Sequence, residues 1–537
     1  MLTRKRIYKN GIVLTLASYP TPVTAFSLCH ERFSAVGSDD DIMKLSDTAS
    51  DVVDLKRKTV IPGFIETHNH MSAYAMNLLQ ADCSCSQNTT IDDVKDRIKK
   101  MSDAANPGDW ILGYGYDDTS IAEKRHLTRG DLDEVSPENP VHIFHISVHF
   151  SYVNSVALKI AGITKDTLQP QGGEIHRDEE GVPTGLLMEP GAMNLVRDLI
   201  PPYSVLQIKS VLPKAIEHYH SFGITGIHDG GIGYFRHGRQ IIEAYQRLER
   251  EGLLTMRVNM TIIEEIYRTL FSEGIRSGFG SNRLKLGSVK LWQDGSIQGY
   301  TGALKRPYYR RSDYCGVTLI PQDSLNRIVA KYHAANCQVA VHANGDRAID
   351  SVLDAFEAAY EKCPKADRRH MIIHCQMASD KQIERMKQLG IIPNYFVNHV
   401  YYWGDRHRKI FLGPERAGRI DPLASSLSRG LTFCLHSDMP VTPVDPIFSI
   451  HTAVNRVTKE GYLLGPEEGI SVLDALKAYT VNAAYASFDE EQKGTIETGK
   501  LADFIVLSEN PLNVPSHEIK DIEVMETVVG GETVYRK

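Results

Sequence analysis

The stretch Val60–Met71, which reads VIPGFIETHNHM, decides the fold that we predict for this chain. Its apolar start leads through Pro62 and Gly63 to His68 and His70. Side chains alternate between the two faces of a strand, so residues two apart point the same way. The two imidazoles would therefore lie side by side at the end of a buried strand, as half of the ligand set of a transition metal. A His-x-His pair also arises by chance, so this reading needs support from elsewhere in the chain.

Length and composition predict a large protein with more than one domain. The 537 residues are too many for one ordinary core, and 42% hydrophobic with 24% charged residues is typical of a soluble globular protein. A net charge of -7 without a long basic tract argues against a nucleic-acid partner. No apolar run approaches the ~20 residues that span a bilayer, so no membrane partner is expected. The eight scattered cysteines favour reduced thiols and a cytoplasmic location, and a homodimer is left open.

Residues 60–489 alternate apolar β-rich runs with helical patterns. Eight such units predict an α/β fold, a parallel (β/α)8 barrel of the TIM type, whose active site lies at the C-terminal ends of the strands. The first strand is expected at Val60, and the other seven at 224–229, 256–263, 284–291, 338–342, 371–374, 391–396 and 431–438.

Three segments do not follow the alternation of strands and helices that predicts the barrel. Short β-rich pieces fill residues 1–59 and 490–537, and because chain termini often lie close together, we expect them to pair into one small β-sandwich. About 150 residues separate the first barrel strand from the second, far more than a normal connection. Residues 77–212 are therefore predicted to form an inserted α+β subdomain near the barrel mouth, a natural place for a lid.

Lys290 lies in the middle of the apolar run Leu286–Trp292. Lysine is seldom buried unless it is paired, and one interpretation pairs it with a carboxylate such as Asp294. The other is that the buried amine reacts with carbon dioxide, which gives a carbamate whose two anionic oxygens can bridge two cations. From this strand alone, the ion pair is the better supported of the two.

Three later strands end in further residues that can bind metals, namely His342, His374 and Asp438. Taken singly, each has an ordinary explanation, since a buried histidine can be a hydrogen-bonded core residue and a carboxylate can cap a helix. With the His-x-His pair and Lys290, however, five strand ends carry metal-competent or convertible side chains. Five separate coincidences would be needed to explain them otherwise, so the set predicts a metal centre.

The order His-x-His, Lys, His, His, Asp on successive strands resembles the metal-dependent amidohydrolase superfamily, and more narrowly the branch that contains N-substituted formamide deformylase. Similar stretches run nearly end to end, at 132–137, 153–158, 181–187, 290–296, 342–348, 437–441 and 499–503. The chain departs from the usual pattern at Glu66, Tyr116, Ile373 and His436, none of which is a proposed ligand.

The resemblance implies a centre of one or two divalent ions, with zinc as the favoured metal and carbon dioxide as the source of a lysine carbamate. In the two-ion form, His68, His70 and Asp438 hold one ion, His342 and His374 hold the other, and carbamylated Lys290 bridges them. Asp438 would also be the catalytic general base, accepting the proton of the attacking water and passing it to the leaving nitrogen. If one ion binds, Lys290 is structural and one histidine becomes an electrophile. On the substrate side we place Trp292, Asp294, Asp346 and His436.

The function implied is hydrolysis of a non-peptide carbon–nitrogen bond in a small N-substituted amide by metal-activated hydroxide. Two alternatives stay open, namely another reaction of the superfamily, such as cyclic amide opening or heterocycle deamination, and a non-catalytic regulatory relative. No strand-end loop carries an arginine cluster that would clamp an anion. Aromatic residues in the segments expected to roof the barrel predict a neutral small-molecule substrate with an apolar N-substituent: Trp110, Tyr114, Tyr116, Trp292, Tyr300, Tyr395, Phe396, Tyr401, Tyr402 and Trp403.

Overall fold

The computed structural model describes residues 5–18, 22–48, 50–146, 149–234, 237–364 and 367–537. The chain divides into a larger unit, which runs up to Ser72 and again from Leu212 to Lys537, and a smaller unit, Ala73–Val211. Within the described ranges, no helix has both the length and the apolar character that crossing a bilayer requires.

The larger unit contains eight strands that pair in sequence order, each parallel to the next. Between the last strand and the first, Thr67 Oγ1 donates to the Leu435 carbonyl at 3.1 Å and the His70 amide donates to the Met439 carbonyl at 2.8 Å, which nearly closes the ring. The predicted α/β barrel of the TIM type is thus confirmed. The strands are β1 (Phe64–Asn69), β2 (Ile224–Ile232), β3 (Arg257–Ile263), β4 (Leu284–Trp292), β5 (Val339–Ala343), β6 (Met371–His374), β7 (Ile392–Tyr395) and β8 (Cys434–Leu435).

Helices follow the strands, as the alternating pattern predicts. Ser379 and Gln382 form a capping box at the start of one of them, Asp380–Leu389, and Gly390 ends it in the left-handed conformation at a φ of 62°. The helices of the larger unit are Asp39–Met43, Gly238–Arg250, Glu264–Ser272, Gln322–Ala334, Asp346–Lys362, Asp380–Leu389, Asn398–Arg406, His407–Phe411 (π), Gly413–Gly418, Leu423–Ser428, Pro446–Asn455, Pro466–Glu468 (3₁₀), Val472–Ala478, Val481–Ala486 and Ser516–Asp521 (3₁₀). Met71–Asn77 and Val205–Ser221 are helices at the junctions between the units.

The stretch that opens at Val60 divides into two strands. Val60 and Ile61 lie in a separate strand that pairs with segments from both ends of the chain, and β1 begins only at Phe64. Gly63 stands between the two, where a Cβ atom would lie 2.2 Å from the side chain of Thr225. The predicted start of the first barrel strand is therefore wrong by four residues, and the predicted eighth strand is reduced to Cys434–Leu435.

Two more sheets of the larger unit come from segments near the chain ends. Their side chains share an apolar cluster, in which the Phe504 ring lies 5.1 Å from that of Phe26 and 6.1 Å from that of Phe33. The four-stranded sheet has the order Arg32–Gly37, Ala25–Cys29, Arg6–Lys9, Asp51–Asp54, and the five-stranded sheet has the order Ile12–Val13, Thr59–Pro62, Phe504–Leu507, Val524–Val529, Glu532–Arg536.

The smaller unit has one mixed six-stranded sheet and an apolar core of its own. Its strands are, in sheet order, Glu174–Arg177, Pro183–Met188, Phe150–Val153, Val141–His145, Ile111–Tyr116 and Ala81–Asp82. Its helices are Ile91–Ala104, Arg129–Asp133, Ser155–Ile160 and Glu189–Arg197. The prediction that this segment acts as a lid stays a prediction.

A buried ion pair joins β3 to the five-stranded terminal sheet. Arg257 Nε lies 2.5 Å from Asp503 Oδ2 and Nη2 lies 2.8 Å from Oδ1, with side chains only 2% and 4% exposed. Burial raises the pKa of the Asp503 carboxyl, but the charge of Arg257 and the hydrogen bonds from Arg257 and the Gly530 amide together lower the pKa overall. This stabilisation is therefore present above the unfolded-state pKa of about 3.9 and is lost as pH falls through the lower folded-state pKa.

We expect Asp503→Asn to lower the free energy of unfolding at pH 7 by about 3–5 kcal/mol, because it leaves a buried guanidinium without its counter-charge. Thermal or urea denaturation measures the loss. Glu523→Gln is the matched control, since it removes one partner of an exposed pair with Lys537 and should change stability by less than about 0.5 kcal/mol. Equal effects of the two substitutions would contradict the expectation.

Candidate metal centre

Four of the predicted ligands meet at the C-terminal ends of β1, β4 and β8. His70 Nε2 lies 3.2 Å from Asp438 Oδ1, and His68 Nε2 lies 3.5 Å from the same oxygen. Lys290 Nζ lies 3.4 Å from His68 Nε2. Ligand atoms of His68, Asp438 and a further residue, His374, all lie within 4.8 Å of one another.

The histidines that end β5 and β6 join the same cluster. The ring centroids of His342 and His374 are 4.5 Å apart, and those of His374 and His68 are 5.5 Å apart. His342 Nε2 is 3.1 Å from the side-chain amide of Asn344 and 3.3 Å from the Gly295 carbonyl. All six residues that the sequence analysis proposes as ligands are thus brought together.

Burial lowers the pKa of four of the five nitrogen donors. It lowers the pKa of Lys290 to about 7 and, together with the Lys290 charge, lowers the pKa of His342 to about 3. Burial also lowers the pKa of His68 and of His374 well below the usual value. At His70 burial acts in the same direction, but the Asp438 carboxylate outweighs it and the pKa is raised overall. Neutral imidazole is the form that coordinates a metal, so this environment suits ligation.

Some buried polar atoms of the cluster make no hydrogen bond. A bound cation would supply the missing partner for their lone pairs. Within the described ranges, His374 Nδ1 and Asp438 Oδ1 are fully buried and make no aligned hydrogen bond. Both residues also hold a left-handed backbone, with φ of 70° and 57°, which costs energy for a residue other than glycine. Unsatisfied donors and local strain of this kind are concentrated at functional sites. The residues present therefore fit a metal.

Neighbouring groups hold two of these side chains in place. The Gly230 carbonyl accepts a hydrogen bond at 2.7 Å from Nδ1 of His70, which leaves the Nε2 lone pair facing the cluster. Burial raises the pKa of Glu66 to about 8, so this carboxyl is protonated at neutral pH. The Ser437 amide donates to Glu66 Oε1 at 2.9 Å, which ties β1 to the residue just before Asp438.

The residues predicted on the substrate side have different placements. Asp294 is fully buried, and its carboxylate accepts hydrogen bonds from three backbone amides, of Ala303, Asn344 and Gly345. The alternative that pairs it with Lys290 is therefore not observed, and Asp294 holds the loops together. Asp346 accepts from the Lys305 amide at the start of its helix.

Trp292 and His436 lie against the cluster. Lys290 Nζ is 5.4 Å from the centre of the Trp292 ring. His436 is fully buried, 5.2 Å from the His68 ring and stacked on Phe396 at 5.0 Å, and within the described residues neither of its ring nitrogens has a hydrogen-bond partner. These two side chains remain candidates for contact with a substrate.

Two of the aromatic residues expected to line a pocket are packed inside the protein. Tyr116 is wholly buried in the core of the smaller unit, where its hydroxyl donates to the Arg125 carbonyl at 2.7 Å. Tyr395 is wholly buried on β7, with its hydroxyl 2.8 Å from the Ser426 hydroxyl. These two residues therefore pack the protein core and do not line a pocket.

A buried pair that was not predicted from the sequence lies beside the cluster. His399, on the helix that follows β7, lies with its ring 6.2 Å from that of His374, and its Nδ1 is 3.5 Å from Asp421 Oδ1. The available signal is weak, since β7 ends in no predicted ligand and Asp421 comes more than twenty residues later.

Comparisons with known proteins agree with this geometry. A model described as the amidohydrolase family matches residues 51–535. N-substituted formamide deformylase from Arthrobacter pascens is 29% identical over 98% of this chain and 98% of that protein. Protein LONG AFTER FAR-RED 3 from Arabidopsis thaliana is 30% identical over 98% of this chain and 91% of that protein. The crystal structure of an uncharacterized metal-dependent hydrolase from Pyrococcus furiosus, 28% identical, superposes with a TM-score of 0.79 over 95% of this chain and 100% of that chain.

Gly230 provides a test of the cluster as a metal site. A Cβ atom at this position would lie 2.5 Å from Cε1 of His68, so we expect Gly230→Ala to displace that imidazole and weaken metal binding by about 10–100-fold. Chelator competition measures the affinity. Gly226→Ala, on the same strand, is the matched control because its Cβ would meet nothing closer than 3.6 Å. Unchanged affinity in Gly230→Ala would exclude His68 as a ligand.

Proposed function

We propose that this chain, which belongs to the amidohydrolase family, cleaves a linear N-substituted amide. It is a metal-dependent hydrolase that acts on carbon–nitrogen bonds other than peptide bonds. The products would be a small carboxylic acid and an amine. The observation that carries this proposal is the buried convergence of imidazoles, a lysine and a carboxylate at one end of the barrel. Similarity to N-substituted formamide deformylase supports the linear amide.

The proposed ligands form two groups around Lys290. His68, His70 and Asp438 would hold one zinc ion, and His342 and His374 a second. Lys290 would bridge them as a carbamate, formed when its neutral amine attacks the carbon of carbon dioxide and releases a proton. The lowered pKa of Lys290, about 7, supports this step because only the unprotonated amine is a nucleophile.

Separate residues of the chain would transfer the proton and hold the reacting groups in position. Zinc, when bound, supplies Lewis acidity, which lowers the pKa of water toward ~7 and polarises a carbonyl oxygen. Asp438 accepts the proton of the attacking water and delivers it to the nitrogen as the carbon–nitrogen bond breaks. Glu66 accepts a hydrogen bond from the Ser437 amide and so keeps Asp438 in position. The Gly230 carbonyl accepts one from His70 and keeps that imidazole in position.

The side chains around the cluster support a neutral substrate with an apolar substituent. The ring of Trp292 lies 5.2 Å from that of Tyr234, a residue that is 63% exposed, and the ring of Trp403 lies 5.9 Å from that of Phe396. Such surfaces offer apolar contact and few charges, as most small-molecule sites do.

We also propose a structure for the chain ends, a role for the inserted segment and a cellular location. Residues 1–59 and 490–537 would form one composite β-sandwich, supported by the apolar cluster that their strands share. Residues 77–212 would form a lid, supported by their position in the chain directly after β1 and His70. A cytoplasmic location is proposed from the cysteine content alone.

Carbamylation of Lys290 can be tested without turnover. We expect protein prepared with ¹³C-bicarbonate and zinc to show one carbamate signal per chain by ¹³C NMR, rising as pH increases through about 7, where the amine loses its proton. Lys290→Ala should remove the signal. Lys285→Ala should retain it, because that lysine of the same strand is paired with Asp489 at 2.6 Å. A zinc-replete protein without the signal would contradict the bridge.

Substrate and base are tested together in zinc-loaded protein, checked by elemental analysis for one to two ions per chain. We expect N-benzyl and N-aryl formamides to be hydrolysed, while hydantoins, lactones and aminopyrimidines are not. Asp438→Asn should lower kcat by about 10²–10⁴-fold at a similar metal content, because asparagine cannot accept the proton. Turnover of the ring compounds only would refute the linear-amide proposal, and near-normal rates in Asp438→Asn would assign the base elsewhere.

A further inference from the structure

A group of metal-competent side chains that the proposed reaction does not use lies in the smaller unit. It consists of Asp117, Asp118 and His145, each of which has a side-chain oxygen or nitrogen within 4.8 Å of those of the other two. Within the described residues, the metal centre of the barrel is the other place where histidine and acidic side chains converge in this way. The two groups share no residue and belong to different units, so this one needs an explanation of its own.

The sheet of the smaller unit explains why the three side chains meet. Two of its strands, Ile111–Tyr116 and Val141–His145, are parallel neighbours whose last residues are in register. Asp117 and Asp118 directly follow the first of these strands. Because parallel neighbours end at the same edge of a sheet, the register brings the two carboxylates and the imidazole to one place.

Contacts with neighbouring groups hold the three side chains in position. His145 Nε2 lies 2.9 Å from Asp118 Oδ1, and the two side chains are only 8% and 20% exposed. Asp117 Oδ1 accepts hydrogen bonds from the amide of Thr119 at 2.9 Å and from its hydroxyl at 2.6 Å, and Oδ2 accepts one from the Ser120 hydroxyl at 2.7 Å. Each carboxylate oxygen has two lone pairs, so Oδ2 retains one that can bind a cation. Hydrogen bonds of this kind orient the carboxylates that bind metals.

The carboxylates of the group lack a full counter-charge from the protein. Among the described residues, neither Asp117 nor Asp118 forms an ion pair with a lysine or arginine, and Lys124 donates instead to two backbone carbonyls of the same turn. The basic groups in contact with Asp118 are the imidazoles of His145 and His126, at 2.9 and 3.7 Å. Imidazole has an unperturbed pKa of about 6.5 and is mostly neutral above pH 7. Two carboxylates held close together then repel one another unless a cation lies between them.

A bound cation accounts for all three side chains, whereas an ion pair between His145 and Asp118 leaves the second carboxylate unexplained. We propose that Asp117, Asp118 and His145 bind one divalent transition-metal ion, with zinc as the preferred metal. Imidazole nitrogen together with carboxylate oxygen suits zinc, whereas calcium and magnesium take oxygen ligands. Water would fill the fourth tetrahedral position. The ion would tie the turn after one strand to the end of its neighbour and so stabilise the smaller unit.

The zinc content of the full-length protein tests this site. The protein is loaded with zinc, dialysed against a buffer that fixes the free zinc concentration, and measured by elemental analysis. We expect Asp118→Asn and His145→Gln each to contain about one zinc ion per chain fewer than the wild type, because loss of one of three ligands weakens binding by at least about 100-fold. Equal zinc contents in the wild type and both variants would overturn the proposal, and so would a loss in only one variant.

Asp109→Asn and His176→Gln are the matched controls, since they make the same substitutions at exposed positions of the same unit outside the group. The His176 ring has a partner of its own, the Thr184 hydroxyl, which lies 2.9 Å from Nδ1. Both controls should retain the zinc content of the wild type. An equal loss of zinc in the controls would overturn the proposal, because the loss would then not depend on the group.

Crystals of the zinc-loaded wild type test the site even where a substitution prevents folding. Diffraction data collected above and below the zinc absorption edge should show an anomalous peak about 2.0–2.2 Å from a carboxylate oxygen of Asp118 and from Nε2 of His145. Peaks at the barrel alone would overturn the proposal. Hydrolysis of amides does not depend on this ion, so a peak here in a protein without amide hydrolysis would refute the proposed function only. Hydrolysis in a protein without the peak would refute this inference only.

Discussion

Burial of ionisable side chains at the ends of barrel strands is the constraint on which this site depends. A lysine and several histidines inside an apolar barrel cannot remain cationic without compensation, so their pKa values fall and their lone pairs become available. Lys290 and His342 show the effect most directly. Asp438, the carboxylate among the proposed ligands, lies against two of these imidazoles. A cation that binds there meets imidazole nitrogens and a carboxylate, which are ligands that transition metals accept.

Parallel strands explain why these side chains meet at all. In a ring of parallel strands all C-terminal ends lie at one edge, so residues far apart in sequence become neighbours by register alone. His68 and Lys290, more than two hundred positions apart, are in contact for this reason. Glycine completes the arrangement, because at Gly230 any larger side chain would occupy the space of the His68 ring.

The barrel could be predicted from the sequence, and so could the convergence of the six proposed ligands, because period, strand-end position and residue chemistry act locally along the chain. The boundary at Val60 could not, since apolar residues on either side of Gly63 look alike and only pairing with a distant C-terminal strand separates them. The roles of Asp294 and Tyr116 also escaped prediction, because a polar or aromatic side chain near a site satisfies its needs through contacts that the sequence does not show. His399 and Asp421 also escaped prediction, because they form a pair within the long connection between β7 and β8, which has no regular pattern to place them.

Residues on the barrel strands are easier to predict from the sequence than residues in the segments that follow the strands. Metal ligands are fixed by strands whose geometry varies little, whereas the groups that meet a substrate come from the segments after the strands, where length and conformation are free to change. His436 and Phe396, whose rings stack on one another, directly follow β8 and β7. A substitution there can alter which carbon–nitrogen bond is presented while the ligand set stays intact. Members of one family can therefore share the complete set of ligands and differ in substrate, so the substrate of this chain must be argued from its post-strand residues.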